Sequence, residues 1–241
     1  LLVWLSALDR ELSLSRIFGK VVVLAEKERE ELLNYIPQLK AEVIGIGVDT
    51  EYFRPMEDIK EEPDSLVFTG YFKHFPNVDA MIYFCRGIFP RVRKSIPNAT
   101  LNILGAHPPP EISRLGQVEG IKVSGYVEDI RPWVARASVY IAPIVSGWGA
   151  RLKVLEAWAM GKAVVSTSRG CSGLEAVDGW NTFLADTPEK FASRVILLLK
   201  DPGYRAKLGL NALKTVQAGY GWDQVVSKYL SLYDELLNRR E

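Results

Sequence analysis

SVYIAPIVSGWGARLKVLEAWAMGKAVVSTS, residues 138–168, decides the fold. Its two ends are near-continuous apolar runs of strand length, and between them two glycines precede a short helical stretch. Strands apolar on both faces belong to parallel sheets covered by helices on both sides, and parallel neighbours need a crossover connection of this kind. Working outward, LVFTG (66–70), TLNILG (100–105), IKVSGYV (121–127) and NTFLAD (181–186) repeat the pattern, separated by stretches with helical periodicity. The fold class is therefore α/β, a doubly wound, Rossmann-like parallel sheet. Ligands of such sheets sit beyond the carboxyl ends of the strands, so the loops starting at Gly70, Gly105, Gly125, Pro143 and Ser168 form the expected functional edge.

Ahead of this sheet, KVVVLAE (20–26), EKEREELLNYI (26–36) and AEVIGIGVDT (41–50) read as a strand, a charged-face helix ended by Pro37, and a second strand. RPMEDIKEEPDS (54–65) has the composition of a linker and marks a domain boundary after the first fifty residues. The chain opens without methionine, and Asp9, Arg10 and Glu11 interrupt its start too early for a membrane span or a signal peptide. Leu1, Leu5, Leu8 and Leu12 recur at helical spacing, so the opening reads as an amphipathic helix in the middle of a longer protein. Behind the sheet three helices are expected, broken at Asp201–Gly203 and Gly219–Gly221.

The 241 residues, 48% of them hydrophobic, suffice for a sizeable core. A net charge of +1 supplies no basic field, so nucleic acid is not an expected partner. Cys85 and Cys171 form neither a metal spacing nor a disulfide framework, which fits a reducing, cytoplasmic location. With no Asp-x-Asp pair, histidine cluster or paired cysteines, neither a metal nor another cofactor is expected. The absence of a nucleophile elbow, a P-loop and a G-x-G-x-x-G turn sets aside hydrolases, P-loop kinases and dehydrogenases.

The chemistry concentrates in GWGARLKVLEA (147–157). A loop running from a strand straight into a helix leaves backbone N–H groups free, and the helix dipole adds positive potential. Arg151 and Lys153 add full charges at the end where acids are usually preferred, so a bound anion would relieve their repulsion. Glu156 follows Lys153 by three residues among Leu155, Ala157, Trp158 and Ala159. Either the two form an ordinary exposed pair worth ~0.3 kcal/mol, or the carboxylate lies deep enough to accept paired ribose hydroxyls beside the anion.

In FTGYFKHFPNVD (68–79), Gly70 permits close backbone approach and Lys73 and His74 can reach the same anion. His74 reads equally as a surface residue, and Asn77 as the N-cap of the helix that follows. In VSGYVEDIRPWVARA (123–137), the extended stretch Gly125, Tyr126, Val127 can present backbone groups to a nucleobase. There Asp129 caps the next helix, with Arg131 a surface residue and Trp133 a packing residue.

Taken together, these motifs resemble the nucleotide-sugar-binding half of retaining glycosyltransferases of the GT-B fold, group 1 or family 4 type. The likeness also takes in VIGIGVDTEYFRP (43–55), SIPNATLNILG (95–105), GLEAVDGWNTFLAD (173–186) and YGWDQVVSKYLSLYDELL (220–237). It implies that Glu156 binds the ribose, that backbone groups of Gly149, Ala150, Arg151 and Leu152 hold the diphosphate, and that Arg151, Lys153 and Lys73 neutralise it. Gly125, Tyr126 and Val127 would face the base. Arg151 and Lys153 would be the catalytic charges, stabilising the departing diphosphate while an acceptor hydroxyl attacks from the same face, without a metal.

The resemblance also implies domains. Residues 1–50 would be the last β-α portion of an N-terminal acceptor domain, 51–221 the nucleotide-sugar-binding domain, and 222–241 a helix crossing back. Partners would be a nucleotide sugar and a glycan or lipid-linked acceptor in polysaccharide biosynthesis, with peripheral membrane association open to the full-length protein. Two departures stand out. Trp148 occupies the position, eight before Glu156, where many members carry a sugar-contacting glutamate. Most of the acceptor half is also missing, so the fragment alone is expected to be inactive. Alternatives are a sugar-nucleotide epimerase of the same fold and a non-catalytic nucleotide-binding scaffold.

Overall fold

The computed structural model describes residues 17–147 and 151–238, together with Arg10, Leu12 and Ser13. The expected helix over Leu1, Leu5 and Leu8 lies outside them. The chain divides into two units, residues 1–47 with 222–241, and residues 48–221.

The first unit opens with strand β1 (Val21–Val23), helix α1 (Glu26–Tyr35) and strand β2 (Ala41–Val43), the strands pairing in parallel with Val21 opposite Ala41. Pro37 cannot donate the next helical hydrogen bond, and the chain turns there into β2.

The second unit is a six-stranded parallel sheet. Its elements in chain order begin with β3 (Ser65–Thr69), α2 (Phe75–Tyr83), α3 (Phe89–Ser95) and β4 (Thr100–Leu104). There follow α4 (Pro110–Ser113), β5 (Ile121–Gly125), α5 (Arg131–Arg136) and β6 (Val139–Ala142). Then come α6 (Leu152–Ala159), β7 (Val164–Ser166), β8 (Phe183–Leu184), α7 (Pro188–Lys200) and α8 (Pro202–Gly219). Helix α9 (Trp222–Asn238) belongs to the first unit, where Val225 and Leu232 pack on Ile44 and Lys20 bridges Glu42 and Glu235.

Strand order is β5-β4-β3-β6-β7-β8. The chain winds outward from β3 to β5, returns to the other side of β3 as β6, and winds outward again. The direction reverses between β3 and β6, which makes a crevice at their carboxyl ends. Every residue of β3, β6 and β7 is buried, as strands covered on both faces require.

Local chemistry explains the helix boundaries. Thr187 and Asp201 each accept a backbone N–H two residues beyond an N1 proline, at 3.3 and 2.8 Å, and start α7 and α8. Between α2 and α3 the helix widens into a π turn over Phe84–Ile88. Pro90 has no N–H to offer the carbonyl of Arg86, and the wider turn accommodates it.

Composition misleads in one place. The stretch 54–65, linker-like by composition, is anchored to the second unit: Glu61 pairs with Lys162 and Arg205, and Glu62 donates its N–H to the carbonyl of Arg136 at 2.7 Å. Among the described residues no helix is long and apolar enough to cross a membrane.

Candidate functional site

At the crevice, β3 ends on Thr69 and β6 on Ala142. The two loops that leave them are fastened to each other. Ser146 donates to Asp79 of α2 at 2.6 Å. Gly147 takes a left-handed φ of 78°, and a Cβ built there would lie 2.4 Å from Cγ of Pro76. Only glycine permits both the turn and the approach.

Helix α6 starts at this junction, with Arg151 at its N-cap and no side chain capping it. The Arg151 guanidinium is buried and donates to the carbonyls of Arg169 at 3.0 Å and Gly147 at 3.3 Å. Arg169, exposed at the end of β7, reaches the same Gly147 carbonyl at 3.4 Å. Two cations therefore converge on one oxygen. Burial, reinforced by Arg169, holds Arg151 below its ordinary pKa.

Lys153 turns the other way. Its Nζ donates to the carbonyl of Thr69 at 2.8 Å and to Oδ1 of Asn77 at 2.6 Å, above the Phe68 ring at 4.3 Å from its centre. Burial pushes its pKa down to about 7, with Arg151 adding to the effect and Glu156 opposing it. Glu156 is partly buried one turn further on, and burial raises its pKa against the pull of Lys153. Among the described residues, no donor reaches its carboxylate within hydrogen-bonding distance. A half-buried carboxylate in that state is a ready acceptor for a ligand's hydroxyls.

Residues 63–201 match the family model of the group 1 glycosyl transferases. The chain belongs to this family. An uncharacterized glycosyltransferase of Methanocaldococcus jannaschii is 26% identical over 107 residues, 44% of this chain and 27% of the relative. The lipopolysaccharide core biosynthesis mannosyltransferase LpcC of Rhizobium leguminosarum bv. viciae is 29% identical over 130 residues, 53% of this chain and 36% of the relative. The chain thus spans about a third of the length of these curated relatives. Among solved structures, a mutant TarM of S. aureus, in complex with fondaparinux, alpha-GlcNAc-glycerol and UDP, superposes with a TM-score of 0.76 at 16% identity. That superposition covers 92% of this chain and 45% of TarM, and the shared fold is that of GT-B glycosyltransferases.

In this member of the group 1 family, Arg151, Lys153 and Glu156 come together at the N-cap and in the first turns of α6, and Gly70 follows the end of β3. Gly149 and Ala150, with Trp148, lie outside the described residues. Leu152 is the exposed first residue of α6, and Lys73 is exposed on the loop after β3. Gly125 ends β5 with φ of 66°, followed by Tyr126, which is exposed, and Val127, half-buried. Those three stand two strands away from β3, along the same edge.

Asn77 is not an N-cap. His74 holds that position, and Asn77 sits inside the first turn of α2 with its amide turned to Lys153. Asp129 does receive the N–H of Arg131, at 2.9 Å, but it also grips that guanidinium, which stacks 3.7 Å from the centre of the Tyr52 ring. Arg131 is therefore a bound residue. Arg169 was missed: the loop after β7 was expected at the functional edge, but nothing local distinguishes one exposed arginine from another. Among the described residues there is no group of three His, Cys, Asp or Glu side chains placed to hold a metal ion.

Proposed function

We propose that this chain is the donor-binding part of a retaining glycosyltransferase of the family 4 type, gripping a nucleoside diphosphate sugar over the carboxyl ends of β3 and β6. The observation that carries the reading is Glu156: a half-buried carboxylate without a donor among the described residues, one turn beyond a cationic helix start. Glu156 takes the ribose hydroxyls. Backbone groups of Gly149, Ala150 and Leu152, as expected from the sequence, take the diphosphate with Arg151, Lys153 and Lys73. Gly125, Tyr126 and Val127 face the base.

As the glycosidic bond to the diphosphate breaks, negative charge grows on the leaving phosphate, and Arg151 and Lys153 stabilise it where water is excluded. In this reading, fixed cations do what a metal would otherwise do. The acceptor hydroxyl attacks from the face the diphosphate leaves and passes its proton to the departing phosphate oxygen, so the anomeric configuration is retained. UDP in the TarM complex supports a nucleotide donor, and the Rhizobium relative supports a glycan or lipid-linked acceptor. Residues 1–50 and 222–241 are proposed to belong with an acceptor-binding domain; the grouping of residues 1–47 with 222–241 in a unit of their own supports this. A cytoplasmic, membrane-peripheral setting for the whole protein goes with such an acceptor.

Calorimetric titration of the chain with UDP, GDP and ADP and their sugars, beside Glu156→Ala, tests the reading. One nucleotide should bind the parent chain, and the variant should bind it at least about tenfold more weakly. No binding by the parent, or equal binding by the variant, refutes the assignment.

A further inference from the structure

Lys153 and Asn77 are 76 residues apart in sequence and 2.6 Å apart in the fold. Asn77 is 9% exposed, and both ends of its amide are occupied: Oδ1 accepts from Lys153, and Nδ2 donates to the carbonyl of Tyr71 at 2.8 Å. Turning the amide over would set donor against donor at Lys153 and oxygen against oxygen at Tyr71, so its orientation is fixed from both sides. Room for the amide depends on residue 70. A Cβ built on Gly70 would lie 2.9 Å from Cγ and 3.0 Å from Oδ1 of Asn77.

Resting on the nucleotide reading above, we propose that Asn77 is the positioning residue of Lys153, holding its ammonium at the crevice between β3 and β6 for an anionic ligand, and that Gly70 makes the seat for Asn77. The partner's neutrality is the point. A carboxylate there would cancel the charge a phosphate needs, whereas an amide oxygen and the Thr69 carbonyl satisfy two N–H groups and leave the charge whole. Among the described residues, the groups facing the ammonium from β3 and α2 are all neutral: the Thr69 carbonyl, the Phe68 ring and the Asn77 amide. Asp79, on α2, is engaged by Ser146. The charged groups acting on Lys153 are Glu156 and Arg151, from its own helix. On β6, Tyr140 is bonded to Thr69 and feels Glu156. Gly70, read from sequence as a place of close ligand approach, becomes in this proposal part of the scaffold behind the cation.

The test follows the titration of Lys153 by NMR of chains carrying carbon-labelled lysines, assigned through Lys153→Met, without any ligand. Asn77→Asp, which keeps the shape and adds a charge, should move the midpoint up; Asn77→Ala and Gly70→Ala should both move it down, because each removes or displaces the acceptor. Midpoints unmoved in folded variants overturn the proposal. Should the variants fail to fold, the side-chain amide signal of Asn77 in the parent chain must titrate with the midpoint of Lys153; an amide signal that ignores it overturns the proposal equally.

Calorimetry with UDP then separates this inference from the reading it rests on. Affinity of the parent chain should fall as pH rises through the Lys153 midpoint, while Asn77→Asp should bind about tenfold more weakly and without that pH dependence. If Lys153 shifts as expected but the parent binds no UDP, GDP or ADP, the positioning stands and the nucleotide reading fails. If the parent binds UDP and Asn77→Asp matches it in affinity and pH profile, the nucleotide reading stands and the positioning role fails.

Discussion

The hydroxyls of Thr69 and Tyr140 meet at 2.6 Å across the seam between β3 and β6. Both residues are almost wholly buried, at 5% and 1% exposure, and each hydroxyl is the other's partner. The seam is where the winding of the sheet reverses, so this pair stiffens the floor of the candidate site. Removing one partner strands the other without water. Thr69→Val and Tyr140→Phe are each expected to cost about 1–2 kcal/mol in denaturant unfolding, and the double variant less than their sum. Additive costs would show that the two hydroxyls do not share a bond.

Glu156 predicts a conflict between stability and binding. Burial raises its pKa, so the folded chain holds this proton more tightly than the unfolded chain does. Stability falls as pH rises from the ordinary carboxylate range through the raised value. Glu156→Gln removes that loss. The variant should unfold at higher denaturant at pH 7, by roughly 1 kcal/mol, with the advantage gone near about pH 4, while its affinity for nucleotide drops. Lower stability at pH 7 with affinity intact would contradict both halves.

Lys153 carries the opposite slope. Its folded pKa, pushed down to about 7, means the folded chain binds this proton less tightly than the unfolded chain, whose lysine titrates near 10.5. The stabilising contribution is present above the unfolded value and is lost as pH falls toward 7. Lys153→Met titrates nowhere in this window. Wild type should therefore gain stability relative to Lys153→Met as pH rises from about 7 to about 10, whatever constant offset the lost hydrogen bonds impose. Parallel stability curves across that window would show that burial does not perturb the ammonium.

The sheet was legible from sequence because fully buried strands must be apolar on both faces, and the run from Val139 to Ala142 cannot serve another role as well. The cationic start of α6 was legible too, since Arg151 and Lys153 lie within one turn, whereas the sequence left Glu156 open between an exposed pair and a deep carboxylate, and the fold decides for partial burial. What escaped depends on contacts distant in sequence. Lys153 reaches the carbonyl of Thr69 across 84 residues, and Arg151 that of Arg169 across 18. Asn77 suits an N-cap by side chain, but α2 begins at Phe75 with His74 at its N-cap, and inside the first turn the Asn77 amide is left for Tyr71 and Lys153, the latter 76 residues away. Residues 54–65 looked like a linker because charge and proline are read as solvation. The partners that hold Glu61, Lys162 and Arg205, lie 101 and 144 residues away.

Gly147 tests how tightly the two loops at the crevice are fastened. Any other residue there meets strain from the left-handed φ and a clash with Pro76, so relief would come by parting the loops. Gly147→Ala is expected to lose about 1–3 kcal/mol of stability. It should also weaken nucleotide binding, because Arg151 and Arg169 are both held by the Gly147 carbonyl. Binding that survives unchanged in a destabilised variant would place the loop outside the site.

Glu61 fixes the chain ahead of β3 to the body of the sheet. It pairs with Arg205 of α8 and, at 3.3 Å, with Lys162, whose Nζ also donates to the carbonyl of Ala135 at 3.1 Å. Lys162 is 9% exposed, and burial lowers its pKa against the pull of Glu61. Removing the carboxylate leaves an ammonium short of water and without its counter-charge, so Glu61→Gln should cost about 2–4 kcal/mol. Replacing Lys162 as well, by Met, takes away the stranded charge, and the double variant should recover part of that loss. Arg205 limits the recovery, because it still lacks its partner. A Glu61→Gln chain as stable as the parent would return residues 54–65 to the role of a linker.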